Sequence, residues 1–177
     1  MSVSTQVTPV DEEVTFSPDD IIVSKTDPTG RILYANKIFC DVAEMTTKDV
    51  IGQPHSIIRH PDMPRAIFKL LWDRIGAGHE IFAYVKNMSA TGKYYWVLAH
   101  VTPSFGDGGK LLGYHSNRRV PPAKGLAVIK PLYQELLRIE GSYKNGKDAL
   151  AASTAHLEKL LDEAGMDYDQ FVWSLAA

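Results

Sequence analysis

The stretch "GQPHSIIRHPDMPRAIFKLLW" (residues 52–72) decides how this chain is read. It crowds Arg59, His60 and Asp62 around Pro61, just ahead of an apolar stripe. Ile67, Leu70, Leu71 and Ile75 recur at helical spacing, and Gly76 and Gly78 close the pattern. Asp62 is placed to cap that helix, with Pro64 in its first turn, where a missing N–H costs little. Capping needs one polar residue. Whether the cation and the imidazole beside it bind something is left to the rest of the chain.

On either side of this stretch the hydrophobic period changes. Upstream, "IIVSKTDPTGRILYAN" reads as two short strands around the turn Asp27-Pro28-Thr29-Gly30. "KIFCDVAEMT" and "TKDVIGQ" read as short helices. Downstream, "EIFAYVKNM" and "KYYWVLAHVTP" form a hairpin joined by "SATG", and "LLGYHSNRRV" adds a strand after the loop "FGDGGK". The connections are short, so the strands are antiparallel. The expected fold class is α+β: a five-stranded antiparallel sheet with short helices on one face and a C-terminal helical extension. The expected organisation is an N-terminal arm at 1–15, a sensor domain at 16–120 and helices over 121–177. Pro131 is expected to start a turn or kink its helix. "GKDALAASTAHLEKLLDEAG" carries a narrow, alanine-rich stripe, and the apolar residues of "FVWSL" need cover.

Composition excludes several classes. The net charge of -2 provides no general attraction to nucleic acid or anionic membrane. With 1 cysteine, Cys40, the chain has no internal disulfide and no cysteine-based metal site. No apolar run approaches the roughly 20 residues of a membrane span. The N-terminus lacks a signal-peptide core. The expectation is a soluble, cytoplasmic protein. No nucleophile–base pairing, dinucleotide fingerprint or metal-ligand spacing stands out, so it is not expected to be an enzyme.

The order of elements resembles a PAS domain. "TDPTGRILYAN", "IGQPH" and "GKYYWVLAHVTP" look like that family's opening hairpin, mid-domain turn and fourth strand. "GQPHSIIRHPDMPRAIFKLLW" followed by "VKN" and "YYWV" resembles more narrowly the PAS sensor of bacterial aerotaxis receptors. The resemblance covers residues 17–119. It implies FAD, or FMN, in the cleft between helices and sheet, and a redox or oxygen sensor of energy-taxis type that reports to a signalling partner. The receptors also carry a membrane anchor and a coiled-coil output region. This chain is expected to be a detached sensor that self-associates as a homodimer through its helical tail.

Within that resemblance the candidate cofactor-binding residues are Asn36, Arg59, His60, Asp62, Phe68, Trp72, Phe82, Asn87 and Trp96. Arg59 and His60 would meet a pyrophosphate. Asn36 and Asn87 would meet the pyrimidine edge of the ring, since an amide both donates and accepts. Phe68, Trp72, Phe82 and Trp96 would form flat walls. Asn36 equally fits a helix cap, Asp62 a plain N-cap and Trp72 a core residue. The aerotaxis sensors have tryptophan where this chain has Phe82. Light sensing of the LOV type needs a cysteine in the stretch matched by "HSIIRHPDMP", which has none. Three other readings stay open: a haem-binding gas sensor using His60 or His79, a small flavin-dependent oxidoreductase, and a PAS adaptor with an empty cleft that works through its surface.

Overall fold

The structure, a computed structural model, describes residues 7–176. Its elements follow the expected order. Strands β1 (Ile22–Thr26) and β2 (Ile32–Ala35) lead into helices α1 (Lys37–Ala43) and α2 (Thr47–Val50). A 3-10 turn (His55–Ile58) precedes α3 (Arg65–Gly76). Then come β3 (Ile81–Met88), β4 (Tyr94–Phe105) and β5 (Leu111–Arg119). The tail is α4 (Ala123–Gly141), α5 (Gly146–Ala164) and α6 (Tyr168–Ala176).

The sheet runs β2-β1-β5-β4-β3, antiparallel at every pairing. The β1–β2 turn forms for the reason its residues imply. Asp27 Oδ1 accepts from the Thr29 and Arg31 amides, and Gly30 takes the positive φ of 82° that closes the turn. Side chains alternate across each strand. Ser24, Val85, Asn87, Ala99, Val101, Ser116 and Arg118 therefore share the face under α1 and α3. Phe82, Tyr84, Lys86, Trp96 and His100 lie on the other face.

The tail covers that second face and wraps the β3 edge. Tyr133 of α4 donates a hydrogen bond of 2.7 Å to the Tyr84 carbonyl and stands over Trp96. Trp173 of α6 lies 4.7 Å from the Phe82 ring. Helix α5 packs on α3, and Arg74 pairs with Asp169. An exposed edge strand invites pairing with another chain, and the tail blunts it. Tyr84 is fully buried because helices lie on both sides of it.

Of the two outcomes expected at Pro131, a turn does not form; α4 runs through it, and it lies on the exposed side. The N-terminal arm is tied down in part. Val10 and Val14 donate to the carbonyls of Gly92 and Tyr94, and Tyr94 donates to Glu12. The start of that arm, residues 1–6, lies outside the described residues. Of the tail residues expected to need cover, Phe171 and Leu175 are half-buried and Trp173 is 55% exposed, while Tyr168 and Val172 go deepest.

Candidate functional site

Between α3, the 3-10 turn and the inner face of the sheet lies a recess of about 820 Å³, counted out to its solvent mouth. Pockets for small molecules commonly fall in this size class. Leu71, Ile75, Val85, Ala99 and Val101 make its apolar walls, with Phe68, Trp72 and Tyr114 as aromatic faces. Trp72 meets Tyr114 edge-on at 5.6 Å and stands at the mouth, 43% exposed. The Arg59 guanidinium stacks 3.8 Å above the Phe68 ring. Asn87 is only 4% exposed, and its side chain faces the recess. A backbone bridge between Arg59 and Asn87 locks the loop before α3 to β3.

The "RHPD" run sends its three polar residues in three directions. Arg59 alone lines the recess. His60 turns inward, away from it, with 2% exposure, and packs edge-on to Tyr94. Its Nδ1 accepts from the Asp62 amide at 3.0 Å, which closes the turn. Burial and the nearby Lys86 ammonium hold its pKa below the usual value. Asp62 is not the cap of α3. Its carboxylate pairs with Lys86 at 2.9 Å on the far side of β3. Pro64 occupies the N-cap position and has no side-chain acceptor to offer. The first-turn amides of Arg65 and Ala66 donate instead to Glu140 of α4, each at 3.1 Å. Ser153 of α5 donates to the same carboxylate at 2.8 Å.

Three further expected contacts fall outside the recess. Asn36 is the N-cap of α1: its Oδ1 accepts from the Phe39 and Val23 amides and its Nδ2 donates to the Ile21 carbonyl. Those bonds spend the amide locally. Phe82 stacks on His100 at 4.1 Å on the outer face. Trp96 is also on that face, under Tyr133. Phe82 is five residues from Asn87, and an odd spacing on one strand means opposite faces. Arg59, Phe68, Trp72 and Asn87 are the expected residues that the structure does bring together.

The sequence reading missed the inner end of the recess. Arg118, 2% exposed, donates from Nε to Ser116 Oγ at 3.0 Å and from Nη2 to Ser24 Oγ. His55 Nε2 lies 2.7 Å from the same Nη2 and 3.2 Å from Ser24 Oγ. Burial, then the Arg118 charge, pull the His55 pKa down to about 3. Burial also draws Arg118 down to about 10, which leaves it charged at neutral pH. Arg118 was legible in principle: it shares parity with Tyr114 and Ser116 on β5. Its contact with His55, 63 residues away in sequence, was not.

The neutrality of His55 has a consequence for stability. The unfolded imidazole takes up a proton near its ordinary 6.5, the folded one only near 3. Stability is therefore complete above about pH 6.5 and declines as pH falls toward 3, by at most about 1.4 kcal/mol per unit for this one proton. A His55→Gln chain is expected to show a shallower loss between about pH 7 and pH 5. Urea midpoints across that range check it; parallel losses in both chains remove His55 from the acid response.

Neither histidine expected for haem lines the recess; His60 is turned away and His79 is exposed. Cys40 is buried elsewhere, beside Thr47. Among the described residues there is no cluster of three or more potential metal ligands, and no helix long and apolar enough to cross a membrane.

Comparison with known proteins gives three findings. Residues 32–117 match the family model for the PAS fold. The aerotaxis receptor of Escherichia coli (strain K12) is 36% identical over 121 residues, a match that covers 68% of this chain and 24% of the receptor. The chain thus spans about a quarter of that relative. Phototropin-1A of Oryza sativa subsp. japonica is 24% identical over 83 residues, covering 47% of the chain and 9% of the relative. Among solved structures, the light state of the blue-light photoreceptor Aureochrome1 LOV superposes with a TM-score of 0.55 at 14% identity, over 63% of this chain and 88% of that one. That last likeness is one of fold.

Proposed function

Because the chain carries a PAS domain related to that of the aerotaxis receptor, we propose that it is a redox or oxygen sensor that holds a flavin, FAD in the first instance, in the recess under α3. The observation that carries this reading is the makeup of the recess: flat aromatic and aliphatic walls, two arginines, one buried amide, and no carboxylate among the described lining residues. A flavin brings a flat apolar ring, a polar pyrimidine edge and, in FAD, a pyrophosphate. Arg59 at the mouth would hold the pyrophosphate. Phe68, Leu71 and Trp72 would flank the ring, and Asn87 would meet its polar edge. The group supplies reversible electron uptake; the protein supplies binding, orientation and charge.

The signal would leave through the tail. Helix α3 carries Phe68 and Trp72 on one side and contacts α5 on another, while its N-terminus is held by Glu140. We read the outer surface of the tail, where Val128 and Trp173 stand exposed, as the contact for a cytoplasmic signalling protein or for a second copy of the chain. Sedimentation of the full chain at tens of micromolar, roughly the usual assay range, separates these two.

The absorption spectrum and mass of whatever copurifies test the cofactor. Two broad bands that bleach with dithionite support flavin; a Soret band supports haem; a colourless protein that takes up no added FAD removes both. An Arg59→Ala chain is expected to fold and to bind FAD at least about tenfold more weakly, since one charge-assisted contact is worth about 1.5–3 kcal/mol. An unchanged dissociation constant takes Arg59 out of the site.

A further inference from the structure

We propose that a second recess, on the outer face of the sheet between the N-terminal arm and α4, is a binding site for a zwitterionic aromatic amino acid. It shares no lining residue with the recess under α3, and it stands apart from the flavin reading.

This recess measures about 940 Å³ counted out to its mouth, the size class of the first. Three parts of the chain build it. Alternation along the β3–β4 hairpin makes the floor: Lys86 lies opposite Trp96, and Tyr94 follows two residues away on the same face. Positions 130, 133, 134 and 137 of α4 fall on one helix face and make the wall. The arm closes the third side. Val10 donates to the Gly92 carbonyl and Tyr94 donates to that of Glu12, which fixes Asp11 between them at the rim. Gly92 permits this approach, since a Cβ there would stand 2.2 Å from the Thr8 carbonyl oxygen. Burial, then the Glu13 and Asp11 carboxylates, hold the Tyr94 phenol above its ordinary pKa, as expected if Asp11 leans over the floor.

Two carboxylates and two ammonium groups line the recess, so their charges cancel in sum. They do not cancel in pairs. Lys86 donates to Asp62 at 2.9 Å and stands 4.7 Å over the Tyr94 ring. Asp11 and Lys130 have no ion-pair partner among the described residues. The Lys130 ammonium lies 6.0 Å from the centre of the Trp96 ring. One unpaired anion and one unpaired cation around an aromatic floor match a ligand that carries both charges and a ring. In an aromatic α-amino acid the carboxylate meets Lys130, the ammonium meets Asp11, and the ring lies on Tyr94 and Trp96. Gln134, one turn from Lys130, adds an amide donor for the same carboxylate. A ligand of single charge leaves either Asp11 or Lys130 unanswered. Such a ligand joins the arm to α4, the helix whose Glu140 holds the start of α3.

Titration calorimetry on the full chain, with L-phenylalanine as the probe, tests this. One molecule per chain is expected to bind, with a dissociation constant of about 1 mM or tighter. Asp11 and Lys130 are exposed, so their substitution spares the fold. Asp11→Asn and Lys130→Gln are each expected to weaken binding at least about tenfold, the effect of losing one charge-assisted contact. 3-Phenylpropanoate lacks the ammonium and 2-phenylethylamine lacks the carboxylate; each is expected to bind the unaltered chain at least about tenfold more weakly than L-phenylalanine. No binding of L-phenylalanine at about 10 mM overturns the proposal. Equal affinity in the unaltered and both altered chains overturns it too, since the ligand then lies elsewhere. Analogues that bind as tightly as L-phenylalanine overturn the zwitterion assignment.

Discussion

A Gly113→Ala chain is expected to lose about 3 kcal/mol of stability or more. Gly113 opens the inner half of β5, the strand hydrogen-bonded to both β1 and β4. Its φ is 150°, a conformation that side chains rarely adopt. A Cβ there would stand 1.9 Å from the carbonyl oxygen of Thr26. That oxygen is backbone of β1, so no rotamer change relieves the clash; the strand itself must move. Thr26 pairs with Tyr114, and both line the recess. The damage therefore reaches the site as well as the sheet. Urea unfolding measures it. A midpoint within about 1 kcal/mol of the unaltered chain would show that β1 yields easily, and the argument would fail.

Glu140→Ala is expected to cost about 2–3 kcal/mol, although Glu140 lies in the tail and the helix it caps lies in the sensor domain. Its carboxylate accepts from two amides in the first turn of α3 and from the Ser153 hydroxyl. Arg65 answers by donating to the Gly146 carbonyl at 3.0 Å. Removing the carboxylate orphans two N–H groups at the positive end of the α3 dipole. The cost is less than two full charge-assisted bonds because Glu140 is only half-buried. Faster amide exchange at Arg65 and Ala66 should accompany the lower unfolding midpoint. Glu140→Gln should restore part of the loss, as a neutral acceptor. Exchange rates unchanged in Glu140→Ala would mean that water caps the helix equally well. The expected result also bears on signalling: one carboxylate joins α3, α4 and α5, so a shift of α3 is felt in both tail helices.

The recess and the cap illustrate different kinds of legibility. Local chemistry fixed the turn at Asp27–Gly30, the helix over Arg65–Gly76 and the three later strands, because hydrophobic period and turn residues act over a few positions. Parity along β3 alone was enough to separate Phe82 from Asn87, since side chains of a strand alternate whatever the sheet does. Lys86 pairs with Trp96 across the hairpin, which puts Trp96 on the face away from Asn87 for the same reason. Both aromatics therefore lie across the sheet from the recess.

Other features belong to the tertiary structure. Asp62 and Glu140 are both carboxylates near the start of α3 in one sense or another, and sequence proximity favours Asp62. The fold chooses Glu140, because the loop held by His60 and Met63 aims Asp62 at Lys86 while α4 returns from 74 residues away to meet Ala66. Likewise Arg118 meets Ser24 across 94 residues and His55 across 63. The sequence by itself determined which segments are strands and helices, and which residues share a strand face. Partners across long separations were decided only when the sheet closed and the tail docked, because charge pairing and burial depend on distances in space that no local pattern encodes.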